Sequence, residues 1–368
     1  MTEMKHPKKF IQIVPFYPLP TGQVFRENYF LWPAAMMREM GFECEFLTLN
    51  GKDSSQKELE VLDGFTVRRF SSAVKLLMYV FGQDALVHSH LRPFPPSLFL
   101  GLLPKRKLIT PFTYELGSNA LVRLLSLWMM RRFDKMVPIS PYEEQLYLKN
   151  GFRREQVDFI PLAIDYRFYS RPVRDAAAMR KFGLKKNDFI IITVANFRYF
   201  KRVDVLLEAF KEFRKTVRNG KLVLVGEDWL AREGRPTIKE MVKELHLDSV
   251  IIAGYQPAAE IRKLFALSSL FVNTSSVESQ CIAVYEAAAA GIPLCLSDIG
   301  SFSEVFREHA LYHRYDDAAS LASNMLQYWN DKKLAGRNAA FLKKFVKVWD
   351  YETIKRKLWA AYEAVLLT

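Results

Sequence analysis

Cysteine is scarce in this 368-residue sequence, which contains only Cys44, Cys281 and Cys295. An odd and sparse set of thiols supplies no disulfide framework and is typical of a reducing compartment. The uncharged run 264–277 has 14 residues, whereas a membrane-spanning helix needs about 20. Prolines cut off the apolar run behind the N-terminal lysines, which indicates a strand and not a signal peptide. We therefore expect a cytoplasmic protein.

Several motifs of nucleotide and metal chemistry are absent as well. No two glycines lie one residue apart, which excludes the GxGxxG dinucleotide-binding motif, and there is no P-loop. His88 and His90 alternate and would share one strand face, but two ligands without a third make a poor metal site. We expect no metal site and no bound cofactor.

Acidic residues are outnumbered throughout the chain. The net charge is +13: residues 1–165 hold 21 Lys and Arg against 17 Asp and Glu, and the remainder holds 32 against 23. Such a balance is one mark of nucleic-acid binding, but the sequence has no zinc-finger spacing, no recognisable helix-turn-helix and no basic tail. A basic excess also suits a protein that binds an anionic ligand or touches anionic lipid. We expect no nucleic-acid partner.

The length and the order of elements predict two α/β domains. Strand-like runs alternate with helical stretches in the first half, which implies a mostly parallel sheet. These runs are 10–16, 43–48, 65–70, 85–88, 108–112, 136–139 and 157–160. A second strand series begins at residue 189, after a looser, charged linker at 166–188. We predict an N-terminal domain over 1–165, a C-terminal domain over 189–349, and a final helix at about 350–368 that returns to the first domain.

Two carboxylates, Glu278 and Glu286, frame the most informative stretch of the sequence. A buried strand precedes Glu278, and four alanines, then Gly291 and Pro293, predict a helix around Glu286 with a sharp C-terminal stop. The opening of that helix would offer unpaired N–H groups and partial positive charge, which suits a phosphate. Groups eight positions apart on a helix are up to about 12 Å apart. The spacing suits a ligand with a central diphosphate, a sugar at one end and a ribose at the other.

This stretch resembles the Glu-x7-Glu signature of the retaining, nucleotide-sugar-dependent glycosyltransferases of family 4, also called group 1, which have the GT-B fold. The flanking residues agree: TSSVE ends at Glu278, EAAAAGIP starts at Glu286, and SDIGSFSE follows. In that family the first Glu holds the donor sugar and the second binds the ribose. The resemblance assigns the diphosphate to amides around Ser279, Cys281 and Ile282, where the family usually has Gly-Phe-Gly.

A second loop, residues 196–201, resembles the family's Gly-Arg-Leu…Lys loop, whose Arg and Lys neutralise the diphosphate. Lys201 matches the family's Lys, Asn196 stands where most members have Arg, and Arg198 takes that role from a shifted position. Because a departing nucleoside diphosphate gains negative charge, two cations suit this place. The resemblance further implies that Tyr255 and Gln256 contact the nucleotide base.

The resemblance is looser in the first half. Gly22 remains of the paired glycines usual in the first loop and would let backbone approach the donor; an ordinary turn is an equal alternative. Glu115 stands where the family has a His that reaches the donor sugar. The candidates for the acceptor side are His90, Arg92 and Glu115. His90 and Arg92 follow a strand's carboxyl end, and a packing role is the simpler expectation for both.

Segment 121–133, LVRLLSLWMMRRF, predicts a helix with two interpretations. Leu121, Leu124, Leu125, Trp128 and Met129 would share one side, and arginines flank them. Basic and apolar faces together suit a helix at an anionic membrane surface. A core helix whose arginines emerge into water is the simpler expectation.

The resemblance therefore implies a metal-independent, retaining glycosyltransferase with the GT-B fold, which consists of two Rossmann-like domains facing a central cleft. No Asp-x-Asp motif is present, so donor binding would fall to backbone amides and cations. The predicted partners are a nucleotide-sugar and an unidentified acceptor, which a lipid could carry at the inner membrane face. Two alternatives stay open: another GT-B enzyme, such as an epimerase or hydrolase, and a degenerate, non-catalytic nucleotide-sugar or membrane-surface protein.

Overall fold

The computed structural model describes residues 7–14, 30–49, 57–90, 99–111 and 120–367. The chain divides into two compact units. Among the described residues, the first comprises those up to Leu162 together with 352–367, and the second comprises Ala163–Tyr351. Each contains its own twisted sheet flanked by helices, so the predicted α/β class with two mainly parallel sheets is confirmed.

The first unit is built on a seven-stranded sheet of order β3-β4-β2-β1-β5-β6-β7. Its neighbouring strands are parallel except for the antiparallel pair β3–β4. The strands are β1 Lys9–Ile13, β2 Glu43–Leu49, β3 Leu59–Leu62, β4 Phe65–Phe70, β5 Ala85–Ser89, β6 Arg106–Ile109 and β7 Lys135–Met136.

Helices cover both faces of this sheet. They are α1 Leu31–Glu39, α2 Ala73–Phe81, α3 Ala120–Met130, α4 Pro141–Lys149 and the C-terminal helix, designated α14, Tyr351–Leu366. One face buries side chains of α2, α3 and α4 against β1 and β5, in a core that includes Leu76, Leu127 and Tyr147. The other face receives α14, whose Tyr362 meets Phe10 edge to ring and hydrogen-bonds His88.

Two neighbouring strand predictions for this unit need correction, and one strand was missed. Segment 157–160 is not a strand and makes only an isolated bridge from Val157 to Met136. Ile160 N–H donates to Pro138, which has no N–H to return, so the ladder stops there. For the same reason β7 ends at Met136, short of 139. Strand β3 was missed, although Asp63 and Gly64, with φ of 52° and 76°, form the turn that joins it to β4.

The expectation that the apolar side of segment 121–133 enters the core is wrong. Leu127 and Met130 of α3 are buried, whereas Leu121, Leu124 and Trp128 are 64%, 62% and 44% exposed. The helix is apolar on both sides, so its orientation could not be read from periodicity. The side that carries Leu121, Leu124 and Trp128, which was predicted to pack in the core, is exposed to solvent.

The second unit has a six-stranded, all-parallel sheet of order β10-β9-β8-β11-β12-β13. Its strands are β8 Phe189–Val194, β9 Gly220–Val225, β10 Val250–Gly254, β11 Leu270–Asn273, β12 Leu294–Ser297 and β13 Leu311–His313. The chain enters at β8 near the middle and winds outward in both directions. The order therefore reverses between β8 and β11.

Nine helices of this unit are described. They are α5 Tyr166–Tyr169, α6 Ala176–Lys181, α7 Val203–Thr216, α8 Ile238–Glu244, α9 Ala258–Leu267, α10 Ile282–Ala290, α11 Gly300–Phe306, α12 Ala318–Asn330 and α13 Lys332–Phe345. Helix α7 inserts Leu207, Phe210 and Phe213 into a core shared with β8, β9 and α12. This packing fixes the loop between β8 and α7. Within the described ranges, no helix has the length and apolarity required to traverse a bilayer.

Candidate functional site

The strand order of the second unit places two loops side by side. Strands β8 and β11 pair in parallel, with Leu270 opposite Ile191, so their carboxyl ends meet at one sheet edge. The loop after β8 carries 195–202 and the loop after β11 carries 274–281. This edge is the point where the strand order reverses, which is where open α/β sheets bind ligands.

Lys201 and Glu278 form an ion pair at this point. The Lys201 ammonium contacts Glu278 Oε1, and their side chains are only 15% and 6% exposed. Ser275 Oγ donates to the same carboxylate oxygen at 2.9 Å. A cation held this way is positioned before any ligand arrives, because its partner and the hydroxyl fix its place.

Further hydrogen bonds tie the two loops together. Thr274 Oγ1 donates to the Lys201 carbonyl at 2.7 Å, and Ser276 N–H donates to the Phe200 carbonyl at 2.8 Å. Arg202, where α7 begins, has φ of 48°, an uncommon conformation for a side chain with a Cβ. The backbone around Lys201 is therefore held by the loop after β11.

The helix that follows Glu278 has the predicted boundaries. Cys281 is the N-cap of α10, which ends at Gly291 with φ of 79°. Burial and the Glu278 charge raise the pKa of the Cys281 thiol to about 12, against the lowering effect of Lys201. The thiol thus lies within the field of both members of the ion pair. Asn273 Nδ2 approaches its sulfur at 3.6 Å.

Glu286 lies one turn into α10 and is buried, at 3% exposure. A carboxylate at such burial needs polar partners, since an isolated charge is costly there. Ser279 and Gln280, between the two Glu residues, are buried too, and Ile282 is half-buried. The stretch 278–286 therefore has the geometry of a loop followed by a helix opening, as the spacing predicts, and the ligand roles of its residues stay predictions.

Arg198 has a partner of its own. Its Nε donates to Glu233 Oε1 at 2.7 Å, and the Tyr199 N–H donates to the other oxygen at 2.8 Å. Partial burial opposes ionisation, but these two hydrogen bonds and the Arg198 charge lower the pKa of Glu233 overall. The Arg198 side chain is 42% exposed. The hydrogen bond from Nε to Glu233 therefore fixes the orientation of the Arg198 guanidinium.

The loop 195–198 is packed against the loop that follows β9. Phe197 bridges to Asp228, with its N–H on the Glu227 carbonyl at 2.8 Å. Gly226 has φ of 129°, and a Cβ there would lie 1.8 Å from the Ala195 carbonyl oxygen. Only glycine allows this approach. Asn196, in the same loop, is half-buried.

Tyr255 and Gln256 follow β10 at the same end of the sheet. Tyr255 is 42% exposed. Gln256 donates to the Ala253 carbonyl at 2.7 Å and accepts from Lys181 Nζ at 3.2 Å. Both residues are accessible on the sheet's carboxyl side, and their role in base binding stays a prediction.

Of the first-unit candidates, His90 is buried at the end of β5. Its ring is tilted against that of His88, with 4.0 Å between ring centroids, and meets the Phe30 ring edge to face at 5.0 Å. Burial and the neighbouring His88 keep the pKa of His90 well below its usual value. Gly22, Arg92 and Glu115 lie outside the described residues. In the part of the chain that the structure describes, no cluster of three or more His, Cys, Asp or Glu forms a metal site.

Sequence reasoning missed Glu233 and Ser275. Glu233 lies in a charged, glycine-containing segment with no motif, 35 positions from Arg198, so only the tertiary structure brings the two together. Ser275 carried a signal, because a hydroxyl three residues before a Glu in a loop is a frequent local partner.

Comparison with solved structures defines the fold. Sucrose-phosphate synthase from Thermosynechococcus elongatus superposes with a TM-score of 0.80 at 18% identity, covering 98% of this chain and 99% of that one. Anabaena HepE, solved in complex with UDP-glucose, gives a TM-score of 0.76 at 15% identity, covering 97% and 99%. The fold is GT-B, as the sequence predicted.

Sequence comparison shows which family the second unit resembles. Residues 175–342 match the model of glycosyl transferases group 1. N-acetyl-alpha-D-glucosaminyl L-malate synthase of Bacillus anthracis is 31% identical over 175 residues, which is 46% of this chain and 44% of the relative. Mannosylfructose-phosphate synthase of Agrobacterium fabrum is 26% identical over 272 residues, 69% and 58% respectively. The chain spans about half the length of the curated relatives it matches. Over residues 175–342 the chain is therefore similar to the group 1 glycosyltransferases, so the resemblance read from the sequence is confirmed.

Proposed function

We propose that the protein is a retaining glycosyltransferase that moves a sugar from a nucleotide-diphosphate-sugar to an acceptor hydroxyl without a metal ion. The observation that carries this proposal is the Lys201–Glu278 ion pair at the switch point of the second sheet, beside the opening of α10. A diphosphate needs cations and N–H donors in one place, and this edge offers both.

Different residues of the site bind different parts of the donor. Lys201 and the start of α10 hold the diphosphate, with Arg198 as the second cation once its Nη groups turn to the ligand while Nε stays on Glu233. Glu278 orients the sugar, and Glu286 holds the ribose. Tyr255 and Gln256, at the neighbouring strand end, hold the base.

The proposed reaction is a front-face displacement. The bond between the anomeric carbon and the diphosphate oxygen breaks with its electron pair going to that oxygen. The acceptor oxygen forms a bond to the anomeric carbon from the same face, and its proton passes to the departing diphosphate. Lys201 and the helix dipole stabilise the charge on the leaving group, so the step requires no separate protein base.

The acceptor is an alcohol carried by a glycan, a lipid or a small molecule. The relative from Bacillus anthracis is an N-acetyl-alpha-D-glucosaminyl L-malate synthase, and an Acholeplasma laidlawii protein that is 24% identical over 194 residues is an alpha-monoglucosyldiacylglycerol synthase. UDP is the first nucleotide to test, because HepE was solved with UDP-glucose.

Binding tests the proposal first. We expect UDP, GDP or ADP, alone or as nucleotide-sugars, to raise the melting temperature of the wild-type protein, and the Lys201→Ala variant to lose that shift. The shift should persist in EDTA. No shift with any nucleoside diphosphate would contradict the proposal.

Turnover separates the transferase from its alternatives. With the nucleotide-sugar that binds, transfer to an acceptor panel should give a glycoside whose anomeric configuration, read by proton NMR, matches the donor. Free sugar formed at the same rate without acceptor would indicate a hydrolase or epimerase. Binding without turnover across the panel would indicate a non-catalytic nucleotide-sugar protein.

A further inference from the structure

The first unit turns apolar side chains outward from two helices on one face of its sheet. Helix α2 exposes Val74, Met78 and Phe81, which recur every three to four residues on one side. Helix α3 exposes Leu121, Leu124, Leu125 and Trp128. All seven are between 44% and 69% exposed, although each helix already buries its opposite side. An exposed apolar set of this size marks an interaction surface.

A short 3-10 turn, Leu100–Leu102, connects the two helices into one surface. Gly101 abuts the Met129 backbone of α3, since a Cβ there would lie 2.6 Å from the Met129 carbonyl oxygen. Lys105, just after the turn, hydrogen-bonds the Gln83 carbonyl, just after α2. Phe99 and Leu102 of the turn are 44% and 48% exposed. We call α2, the turn and α3 together the outer apolar surface.

The charge of the outer apolar surface has one sign. Segments 73–82, 99–105 and 120–133 contain five Lys and Arg and no Asp or Glu. Arg132 lies over the Trp128 ring at 3.4 Å, so an aromatic ring and a cation share one position at the end of α3. Arg123 and Arg131 both donate hydrogen bonds to Asn150, beside the helix.

We infer that the outer apolar surface docks on an anionic lipid bilayer. Leucines, Trp128 and phenylalanines would enter the boundary between headgroups and acyl chains, and the surrounding cations would meet the anionic headgroups. A second copy of the chain fits less well, because a two-fold contact would oppose the same cations across the interface. The inference does not rest on the proposed reaction.

Vesicle co-sedimentation tests this directly. We expect the wild-type protein to bind vesicles of phosphatidylglycerol and phosphatidylcholine, and to bind vesicles of phosphatidylcholine alone more weakly. The Met78→Glu/Leu124→Glu double variant places one carboxylate on each helix at positions already exposed. Its affinity for anionic vesicles should fall by about tenfold or more. Val348→Glu, at a 54% exposed apolar position of the second unit, is the matched control and should bind like the wild type.

Two further measurements distinguish membrane docking through the outer apolar surface from donor binding. Brominated lipids should quench Trp128 fluorescence, and the Trp128→Phe variant should lose that quenching component. The melting-temperature shift with UDP should be the same in the double variant and the wild type, which tests donor binding independently. Equal vesicle binding by the double variant and Val348→Glu would overturn the inference. So would a wild-type protein that ignores vesicles but self-associates in a manner that the double variant abolishes.

Discussion

The ammonium of Lys201 and the carboxylate of Glu278, 77 positions apart in the chain, form a mostly buried ion pair where the second sheet reverses its strand order. Each residue holds the other and its own loop in place. The pair couples the stability of the unit to the geometry that the proposed reaction needs.

Lys201→Ala should therefore affect both folding and donor binding. It leaves Glu278 buried without its cation, which costs about 3 kcal/mol or more of the free energy of unfolding. Turnover should fall by about 100-fold or more. Urea unfolding of Lys201→Ala, Glu278→Ala and the double variant measures the coupling. If the two single changes are additive in the double variant, the ion pair does not stabilise the unit.

Glu286→Gln should weaken donor binding without unfolding the protein. The change keeps the volume of a buried side chain but removes a charge-assisted acceptor, so nucleoside-diphosphate affinity should fall by about tenfold or more. Isothermal titration measures the affinity. Glu304→Gln, at an exposed position of α11, is the control and should bind like the wild type; a Glu286→Gln variant of unchanged affinity would refute the ribose assignment.

Glu233→Ala should change catalysis more than stability. Its pair with Arg198 is partly exposed, so unfolding should shift by less than about 1 kcal/mol. The KM for the donor should rise a few-fold, because Arg198 loses its orientation. In an Arg198→Ala background the second change should have no added effect on KM. Additive effects on KM would show that Glu233 acts separately from Arg198.

Gly226→Ala should displace the loop 195–198. The added methyl would meet the Ala195 carbonyl oxygen at 1.8 Å, and the residue has a positive φ, so we expect a loss of about 2–4 kcal/mol in stability. Gly336→Ala, within α13 and with open space around its Cα, should instead stabilise by about 0.5–1 kcal/mol. Thermal unfolding compares the two. Equal melting temperatures of the two variants would mean that the loop 195–198 accommodates the added methyl group without loss of stability.

The stability of the protein should decrease in acid through its buried histidines. Burial lowers the pKa of His88 to about 3 and holds that of His90 well below its usual value. Below pH of about 6.5 the unfolded chain binds protons that the folded chain does not, so stability falls by about 1.4 kcal/mol per pH unit for each histidine. His88→Gln should reduce this slope between pH 6 and 4. Urea midpoints measured over that range test it, and an unchanged slope would count against a neutral, buried His88.

Much of the site could be anticipated because its signals are local. The helix α10 was predicted from four alanines, Gly291 and Pro293, whose backbone preferences act over a few residues. Strand β8 and the loop to α7 were likewise marked by an apolar run followed by helical spacing. The Asp63–Gly64 turn carried an equally local signal, and strand β3 beside it was missed because it is only four residues long.

Other features depend on contacts between distant segments. The partnership of Arg198 with Glu233 and the ties from Thr274 and Ser276 to the Lys201 loop have no sequence pattern, because hydrogen bonds across loops follow from strand order. The exposure of Leu124 and Trp128 was mispredicted since α3 is apolar on both sides, and periodicity cannot say which side meets the sheet.

The sequence by itself determined the α/β class, the resemblance to the group 1 glycosyltransferases and the helix that follows Glu278, because propensity, capping and motif spacing are properties of neighbouring residues. Only the tertiary structure decided that Lys201 pairs with Glu278, that Arg198 is held by Glu233, and that α3 turns its leucines to solvent. Those outcomes depend on which strands are neighbours and which helix side packs on the sheet, and burial and pairing energies are set only once the chain has folded.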